Sequence, residues 1–413
     1  MHKRKIVFKV PEFPHLTETF IVAQIVTAIK LGYEIEILVR KRIEESTNLR
    51  SNLIEEYGLL KKVIIEDYKI PKNRILRYIK WILLLVINVA HFNNILSYHK
   101  EQSKFSLTCL FQWVFYNRFI EADLFHVQYG TNSNPLATLK KTGFKPALIV
   151  TFHGHDAFFP ISGYIHNNGY YDNLFKYGNL ITANTPYLAE KIIDLGCPKE
   201  KLKIIPVGVD TDFFYSNNDK KKCSDTLKLI TVGRLHEMKG QVYCIEAVRI
   251  LINKGIDVTL TIIGEGAERI TLEKLIIEYQ LESKVFLSGK KSQEEVRRAL
   301  WESDVYMLTG QATMNGLRES QGLATLEAQA CGLPVIVFDS GGVKYTLEDG
   351  ISGFVCEEYD IDCMISKVKI LIEDTEMAKK MSDQAVTFVN KNYSQKVIDS
   401  KWKTIYNNLS NER

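Results

Sequence analysis

The chain has 413 residues, of which 46% are hydrophobic, and its formal net charge is +4. This length suits two domains with separate cores, and the weak positive charge does not by itself indicate a nucleic-acid partner. Seven scattered cysteines without a Cys-x-x-Cys pair indicate reduced thiols, which are typical of cytoplasmic proteins.

The first half of the chain begins with a strand, a helix and a second strand. The apolar residues 5–10 predict the first strand, residues 18–31 the helix and residues 33–39 the second strand. This order is typical of a parallel, doubly wound sheet. Further strands are predicted at 148–152, 180–183 and 202–206, with a helix that opens near 183–187.

A polar and charged stretch at 216–225 predicts a linker, after which a second series of strands and helices begins. The sequence therefore predicts an α/β protein with two Rossmann-like, doubly wound domains that face each other across a cleft. Ligands of such domains bind at the carboxyl ends of the strands. In the second series, strands are predicted at 227–232, 258–263, 285–287, 305–308 and 335–338, and a helix at 241–254.

The most informative motif is ESQGLATLE at 319–327, where two carboxylates flank the predicted start of a helix. The unpaired N–H groups around Gly322 and Leu323, together with the helix dipole, favour a phosphate. Glu319 and Glu327 would repel that anion, but they suit hydroxyl groups. A molecule that has hydroxyl groups on both sides of a diphosphate is a nucleotide sugar. The alternative is an ordinary helix with two exposed glutamates.

This motif resembles the two-glutamate signature of retaining glycosyltransferases with the GT-B fold, in particular glycosyltransferase family 4. By that resemblance, Glu319 contacts the donor sugar and Glu327 the ribose. The segment GRLHEMKG at 233–240 looks like the diphosphate-binding loop of the same family, in which Arg234 and Lys239 bind the leaving group. A solvated basic turn is the alternative.

A pair of glycines, Gly264 and Gly266, follows the predicted strand at 258–263. Alone, this spacing more often marks a turn than a nucleotide site, but in the family the loop lies near the nucleotide. The predicted donor-binding residues are Gly233, Gly264, Gly266, Gly322, Leu323 and Glu327, and the predicted catalytic residues are His153, Arg234, Lys239 and Glu319.

His153 is predicted from the segment TFHGHD at 151–156, which resembles the Thr-Phe-His loop of the family. In that loop the histidine points toward the acceptor and the donor sugar. His153 would hydrogen-bond donor hydroxyls or orient the acceptor. His155 and Asp156 are second choices, and Asp156 could orient an imidazole. The alternative is a loop histidine satisfied by its surroundings.

Two further segments are similar to bacterial exopolysaccharide glycosyltransferases of the colanic-acid and amylovoran type. Residues 11–20, PEFPHLTETF, match their opening with Thr17 in place of the usual serine, and they lack the Gly-Gly pair of other relatives. Residues 123–130, DLFHVQYG, place His126 and Gln128 on one strand face. The candidates for contacting or supporting the acceptor are Glu18, His126, His155 and Asp156.

The resemblance implies an acceptor-binding domain over 1–210, a nucleotide-sugar domain over 211–392 and a C-terminal helix, 393–413, that packs back on the first domain. It implies hexose transfer from a UDP- or GDP-linked sugar to a lipid-linked saccharide in bacterial surface polysaccharide biosynthesis. Same-face transfer is expected on closure of the cleft, because no carboxylate obviously serves as a nucleophile. A nucleotide-sugar epimerase or a non-catalytic partner subunit on this fold is the alternative.

No cofactor or metal is expected, because cationic side chains and a helix terminus stabilise the leaving diphosphate in such enzymes. In some glycosyltransferases an Asp-x-Asp pair binds a divalent metal. Asp210 and Asp212 have this spacing, but their segment matches the family segment that leads to the linker.

Residues 72–90 join a basic stretch to an apolar stretch too short to span a bilayer. If this helix is exposed, it would bind an anionic inner leaflet, and the protein would be cytoplasmic and peripheral on the inner face of the cell membrane. If it is buried, it is an ordinary helix of the first domain, and the two alternatives are equally favoured. In the first case, charged replacements of Trp81 and Leu84 would release the protein from membranes.

Overall fold

The computed structural model describes residues 4–14, 19–43, 52–101, 106–158, 169–217 and 226–411. The predictions for Thr17, Glu18 and most of the linker lie outside these residues. The chain forms two compact units. The first comprises Met1–Ala183, Ala189–Ile204 and Asp399–Arg413, and the second comprises Asn184–Leu188 and Ile205–Ile398.

The first unit contains a seven-stranded parallel sheet with the strand order β3-β2-β1-β4-β5-β6-β7. Its inner strands are mostly apolar and largely buried, because helices cover both faces of the sheet. The strands are β1 (Lys5–Phe13), β2 (Glu34–Arg42), β3 (Val63–Ile65), β4 (Leu124–Gln128), β5 (Ala147–Thr151), β6 (Leu180–Ala183) and β7 (Leu202–Ile204). The helices are α1 (Thr19–Lys30), α2 (Asn52–Glu56), α3 (Arg74–Ile87), α4 (Phe92–Lys100), α5 (Thr108–Asn117), α6 (Leu136–Lys141), α7 (His155–Phe158), α8 (Asp172–Tyr177) and α9 (Pro186–Asp194), whose first three residues belong to the second unit.

The second unit contains a six-stranded parallel sheet with the order β10-β9-β8-β11-β12-β13. The Rossmann-like pattern predicted for both halves is therefore confirmed. The strands are β8 (Leu227–Val232), β9 (Val258–Ile263), β10 (Val285–Leu287), β11 (Val305–Leu308), β12 (Val335–Phe338) and β13 (Gly353–Cys356). The helices are α10 (Gln241–Asn253), α11 (Arg269–Glu278), α12 (Gln293–Trp301), α13 (Leu323–Ala330), α14 (Ile361–Glu373), α15 (Thr375–Asn392) and α16 (Gln395–Asn411), whose later part belongs to the first unit.

The helix α3 lies at the surface of the first unit, and none of its residues is buried. Ile79 is 58% exposed and Leu83 is 55% exposed. Trp81 and Leu84 are half-buried, because they lie on the side of the helix that faces the rest of the first unit. The exposed alternative therefore holds for the helix, and the effect of charged replacements at Trp81 and Leu84 stays a prediction.

The described residues include no single helix that is long and apolar enough to cross a membrane. By length and composition alone, α3 passes that test only together with Val89–Lys100, which is bent from it by 77°.

Candidate functional site

The two glutamates lie beyond the carboxyl end of β11 in the second unit. Glu319 is in the loop before α13, and Glu327 is half-buried on α13 itself. The helix is preceded by Gly322, whose φ of 84° lies in the left-handed region. No described side chain caps this helix. Its first N–H groups and its dipole therefore provide a setting suited to an anion.

Lys239 and Glu319 form an ion pair in which Nζ donates to Oε2. Their side chains are only 16% and 13% exposed. Burial acts to raise the pKa of the Glu319 carboxyl. Lys239, the N–H of Gly322 and the charge of Arg234 outweigh burial and lower that pKa below its usual value. Glu319 is therefore ionised at neutral pH and is held beside the start of α13.

Glu327 is in a different electrostatic environment. Burial raises the pKa of its carboxyl to about 7, and the charge of Lys239 opposes this shift only in part. The second unit therefore has one carboxylate that is charged at neutral pH and one that titrates there. Both can accept hydrogen bonds from hydroxyl groups when they are ionised.

The loop between Glu319 and α13 is fixed by contacts that the sequence analysis missed. The side-chain amide of Gln321 donates to the Val207 carbonyl and accepts from its N–H, each over 2.9 Å. Thr185 donates to the Ser320 carbonyl over 2.8 Å. A Cβ at Gly342 would lie 1.8 Å from that same carbonyl oxygen, so only glycine fits there. The available signal was the Gly-Gly pair that follows the buried strand β12 after two residues.

The loop that carries Lys239 is equally constrained. Gly240 has a φ of 63°, and a Cβ there would lie 1.8 Å from the carbonyl oxygen of Thr309. Gln241 donates to the Arg234 carbonyl over 2.9 Å, while the Arg234 side chain is exposed. The predicted basic pair is thus one half-buried lysine and one exposed arginine, both supplied by a loop of fixed backbone shape.

Gly264 and Gly266 let two strand-end loops pack backbone against backbone. A Cβ at Gly264 would lie 1.9 Å from the Gly233 carbonyl oxygen, and one at Gly266 would lie 2.2 Å from that of Leu235. This packing accounts for both glycines, and their role toward the nucleotide stays a prediction. A Cβ at Gly233, which was predicted with them, would lie 3.5 Å from Cε of Lys239.

His153 lies in the first unit, directly after β5, and is half-buried between the rings of Phe20 and Tyr129. Its Nε2 is 2.8 Å from Oε1 of Gln128, whose Nε2 donates to Gln24 over 2.7 Å. Since Gln128 presents an oxygen, Nε2 of His153 carries the proton and Nδ1 is an acceptor. Burial lowers the pKa of His153 to about 3, so the imidazole is neutral.

Asp156 organises the backbone around this histidine. Its carboxylate accepts the N–H groups of Gly130, His153 and Gly154 over 2.7, 3.0 and 2.9 Å. The predicted contact with an imidazole is not the one observed, because Gln128 holds the ring instead. His155 is exposed at the start of α7. Asp156 therefore acts on the loop, and the role of His155 stays a prediction.

His126 is a fully buried residue of β4. Its two ring nitrogens lie 2.9 Å from the Tyr406 hydroxyl and 2.7 Å from that of Thr151. Burial, followed by the neighbouring His153, lowers the pKa of His126 to about 3. The ring also packs against Trp402. His126 thus fastens the C-terminal segment to the first unit and presents no free nitrogen to an acceptor.

The Asp-x-Asp segment forms a turn. Asp210 accepts the N–H groups of Asp212 and Phe213, each over 3.1 Å, and Asp212 pairs with Lys396. Across the described ranges, no group of three or more His, Cys, Asp or Glu residues could hold a metal ion. The expectation that the protein needs no metal stays a prediction.

Comparison with known proteins shows the family of the chain. Residues 30–213 match the model of Glycosyltransferase Family 4, and residues 215–387 match that of Glycosyl transferases group 1. The chain is 30% identical to the putative colanic acid biosynthesis glycosyltransferase WcaL of Escherichia coli K12, covering 96% of this chain and 97% of that protein. It is 29% identical to the amylovoran biosynthesis glycosyltransferase AmsK of Erwinia amylovora, covering 87% and 88%.

Among solved structures, Anabaena HepE in complex with UDP aligns with a TM-score of 0.71 at 16% identity, covering 98% of this chain and 100% of that one. At this identity the likeness shows the fold alone, which is GT-B. The relatives imply a nucleotide-sugar donor and a saccharide acceptor. The chain therefore belongs to the group 1 and family 4 glycosyltransferases, and it is a hexosyltransferase.

Proposed function

We propose that this protein transfers a hexose from a UDP- or GDP-linked sugar to a lipid-linked saccharide, with retention of the anomeric configuration. The observation that carries the proposal is the half-buried pair of Lys239 and Glu319 beside the uncapped start of α13. Each partner neutralises the other while the donor is absent. A bound donor offers each a better partner, because a diphosphate attracts Lys239 and a sugar hydroxyl suits Glu319.

The leaving group is stabilised by groups of the second unit. Lys239, Arg234 and the N–H groups at the start of α13 receive the charge that develops on the diphosphate when its bond to the sugar breaks. Glu327 accepts a hydrogen bond from the ribose. The acceptor hydroxyl attacks the anomeric carbon on the face that the diphosphate leaves, and its proton passes to a phosphate oxygen. His153 belongs to the first unit, and its role toward the reacting sugar stays a prediction.

A membrane surface is the proposed partner of α3. The apolar residues Ile75, Ile79, Leu83 and Val86 are each more than half exposed. Soluble proteins rarely expose a contiguous apolar patch of this kind. Arg74, which is exposed in the first turn of the same helix, suits anionic headgroups, whereas Arg77 and Lys80 donate to the carbonyls of Pro71 and Lys69. This surface would hold the enzyme at the inner face of the cell membrane, where a lipid-linked acceptor is anchored.

A donor screen tests the transferase. Purified protein is given a panel of UDP- and GDP-sugars, and free nucleotide is measured with and without a lipid-linked saccharide extract. We expect acceptor-dependent release from one donor, lost in Glu319→Ala and kept in Glu278→Ala, an exposed glutamate of α11. Conversion of a donor without acceptor would instead favour the epimerase. A binding-competent protein with no turnover would favour a non-catalytic subunit.

Product analysis tests the stereochemistry. The anomeric configuration of the new linkage, read by NMR, should equal that of the donor. Detection of a covalent glycosyl-enzyme by mass spectrometry would contradict same-face transfer.

A further inference from the structure

Two cysteines of the second unit have their sulfur atoms in direct contact. Cys356 is the last residue of β13, and Cys363 lies in the first turn of α14. Both are free thiols, and the thiol of Cys363 donates to Sγ of Cys356 over 2.6 Å. Asp360 caps the helix by accepting the N–H of Cys363 over 2.8 Å, which fixes the backbone of this turn. A small shift of either cysteine side chain would therefore bring the sulfurs to bonding distance.

The two sulfurs differ in their access to solvent. Cys356 is buried, whereas Cys363 is partly exposed. Burial, followed by the hydrogen bond from Cys363, raises the pKa of the Cys356 thiol. A small oxidant therefore reaches Cys363 first and finds Cys356 held beside it. An accessible thiol next to a second thiol that can close a disulfide is the arrangement of a reversible oxidation site.

The segment between the two cysteines contacts both donor loops of the same unit. Glu358 accepts two hydrogen bonds from Arg318, from Nε over 2.7 Å and from Nη2 over 3.1 Å, and Arg318 directly precedes Glu319. The ring of Tyr359 packs edge-on against that of Tyr243, with 5.5 Å between the centroids. Tyr243 lies in the first turn of α10, directly after the loop that supplies the donor-site lysine. A change in this segment can therefore reach both loops.

The backbone of this segment is in a costly conformation. Tyr359 has a φ of 70°, in the left-handed region that a tyrosine rarely adopts, and its side chain is exposed. A residue of this kind keeps such a conformation only when its surroundings hold it. The sulfurs are in contact while Glu358 bonds Arg318, so a covalent bond between them would favour the same arrangement.

We propose that Cys356 and Cys363 form a reversible disulfide on exposure to hydrogen peroxide, and that this bond tightens donor binding by fixing the segment that holds Arg318. The effect on the donor rests on the proposed function, because it assumes that the two loops bind a nucleotide sugar. The formation of the disulfide does not depend on that assumption. In reducing compartments, disulfides of this kind are typically transient and serve as redox sensors.

The reaction takes two steps. Sγ of Cys363 attacks one oxygen of the peroxide and the O–O bond breaks, which leaves a sulfenic acid on Cys363 and releases one water. Sγ of Cys356 then attacks the sulfenic sulfur and the S–O bond breaks. The departing hydroxyl takes the thiol proton of Cys356 and leaves as a second water. The two thiols have then given two electrons to the peroxide, and a dithiol reductant reverses the change by thiol–disulfide exchange.

Peptide mapping of the full-length protein tests the disulfide. The protein is reduced, treated with hydrogen peroxide, alkylated and digested with trypsin. Both thiols fall in the single tryptic peptide 345–367. We expect this peptide to lose two hydrogens and to take up no alkylating group, and its halves should stay joined after further cleavage at Glu357. Two free thiols, a sulfonic acid at Cys363 or a bond to another cysteine would overturn the proposal.

Calorimetry with UDP and GDP, before and after peroxide treatment, tests the consequence. The dissociation constant of the nucleotide that binds should fall about threefold on oxidation, because a fixed segment loses less freedom on binding. A dithiol reductant should restore it. Cys363→Ser should abolish the response, and this partly exposed position is chosen because a change at the buried Cys356 could prevent folding. Cys197→Ser is the control, at a buried thiol of the first unit that donates to the Pro198 carbonyl, and it should keep the response.

The outcomes separate this proposal from the proposed function. A disulfide that leaves the dissociation constant unchanged, or a response that persists in Cys363→Ser, overturns the coupling to the donor. A protein that forms the disulfide but binds neither nucleotide in either state counts against the proposed function, while the disulfide is judged by the peptide map alone.

Discussion

The two units use different chemistry at the carboxyl ends of their sheets. The second unit presents ionised groups, Lys239 with Glu319, on loops whose shape is fixed by glycines. The first unit presents His153, a neutral ring oriented by a chain of buried amides. Fixed charge suits a diphosphate, and neutral hydrogen-bonding groups suit hydroxyls. Under the proposed function, this difference predicts that donor binding depends on charge, while recognition in the first unit depends on hydrogen-bond direction.

The largest expected effect comes from removing the charge of the second unit. Lys239→Met should lower kcat about 10²- to 10³-fold, because the leaving diphosphate loses a preorganised cation. Steady-state kinetics with the donor identified by the screen measures this. Lys274→Met on the exposed face of α11 is the matched control. A loss of less than about tenfold would mean that fixed charge is not what the second unit contributes.

Backbone shape in the second unit is tested by Gly240→Ala. The new Cβ would meet the Thr309 carbonyl in a left-handed conformation, so the free energy of unfolding should fall by about 3 kcal/mol. Gly255→Ala is the control, because it shares a positive φ but has nothing within 4 Å, and it should cost about 1 kcal/mol. Urea denaturation of both variants compares them. Equal losses would show that the close approach at Gly240 is unimportant.

The surface of the first unit is tested on vesicles with anionic lipid. Ile79→Glu and Leu83→Glu should each weaken binding about tenfold, because each removes an exposed apolar side chain and adds a negative charge. Ile270→Glu changes a side chain that is 66% exposed in the second unit, and it should have no effect. Vesicle co-sedimentation gives the partition. An equal response at Ile270 would remove the distinction between the two surfaces.

The smallest effect concerns Glu327. Nucleotide affinity should rise about threefold as the pH passes upward through about 7, because the carboxylate then accepts ribose hydroxyls. The folded-state pKa of Glu327 is raised above the ordinary 4.5. Without ligand, its contribution to the free energy of unfolding is therefore lost as the pH rises through about 7, which is opposite to the expected trend in nucleotide affinity. Calorimetry at several pH values measures the affinity. A slope that persists in Glu327→Gln would assign the titration elsewhere.

Sequence patterns predicted the second unit better than the first. The strands β8 to β12 and the start of α13 lie close to where periodicity and Gly322 placed them. Their signals are local, because an apolar run or a glycine at a turn depends on neighbouring residues. The strand β3 was missed, since three residues with partial exposure give no periodic pattern. The exposure of α3 could not be predicted either, because the same apolar helical sequence is compatible with a buried position and with a surface position.

Most side-chain contacts could not be predicted from the sequence. Nothing local shows that Gln24 reaches Gln128, or that Tyr406 meets His126 from 280 residues away. Lys9 and Glu66 are brought together by two separate strands, so their burial follows only from the sheet order. The Lys239 and Glu319 motifs were found because each has its own local signature, although their direct contact was not foreseen.

The hydrogen bonds that join Gln24, Gln128 and His153 fix which atoms of these side chains donate and which accept. Because Nε2 is committed to Gln128, the remaining ring nitrogen offers a lone pair and no hydrogen. A molecular fragment that meets this nitrogen must bring its own hydrogen, as a free hydroxyl does and an ether or ester oxygen does not. Methylated or acetylated sugars would therefore be refused at that position by their missing hydrogen as much as by their bulk.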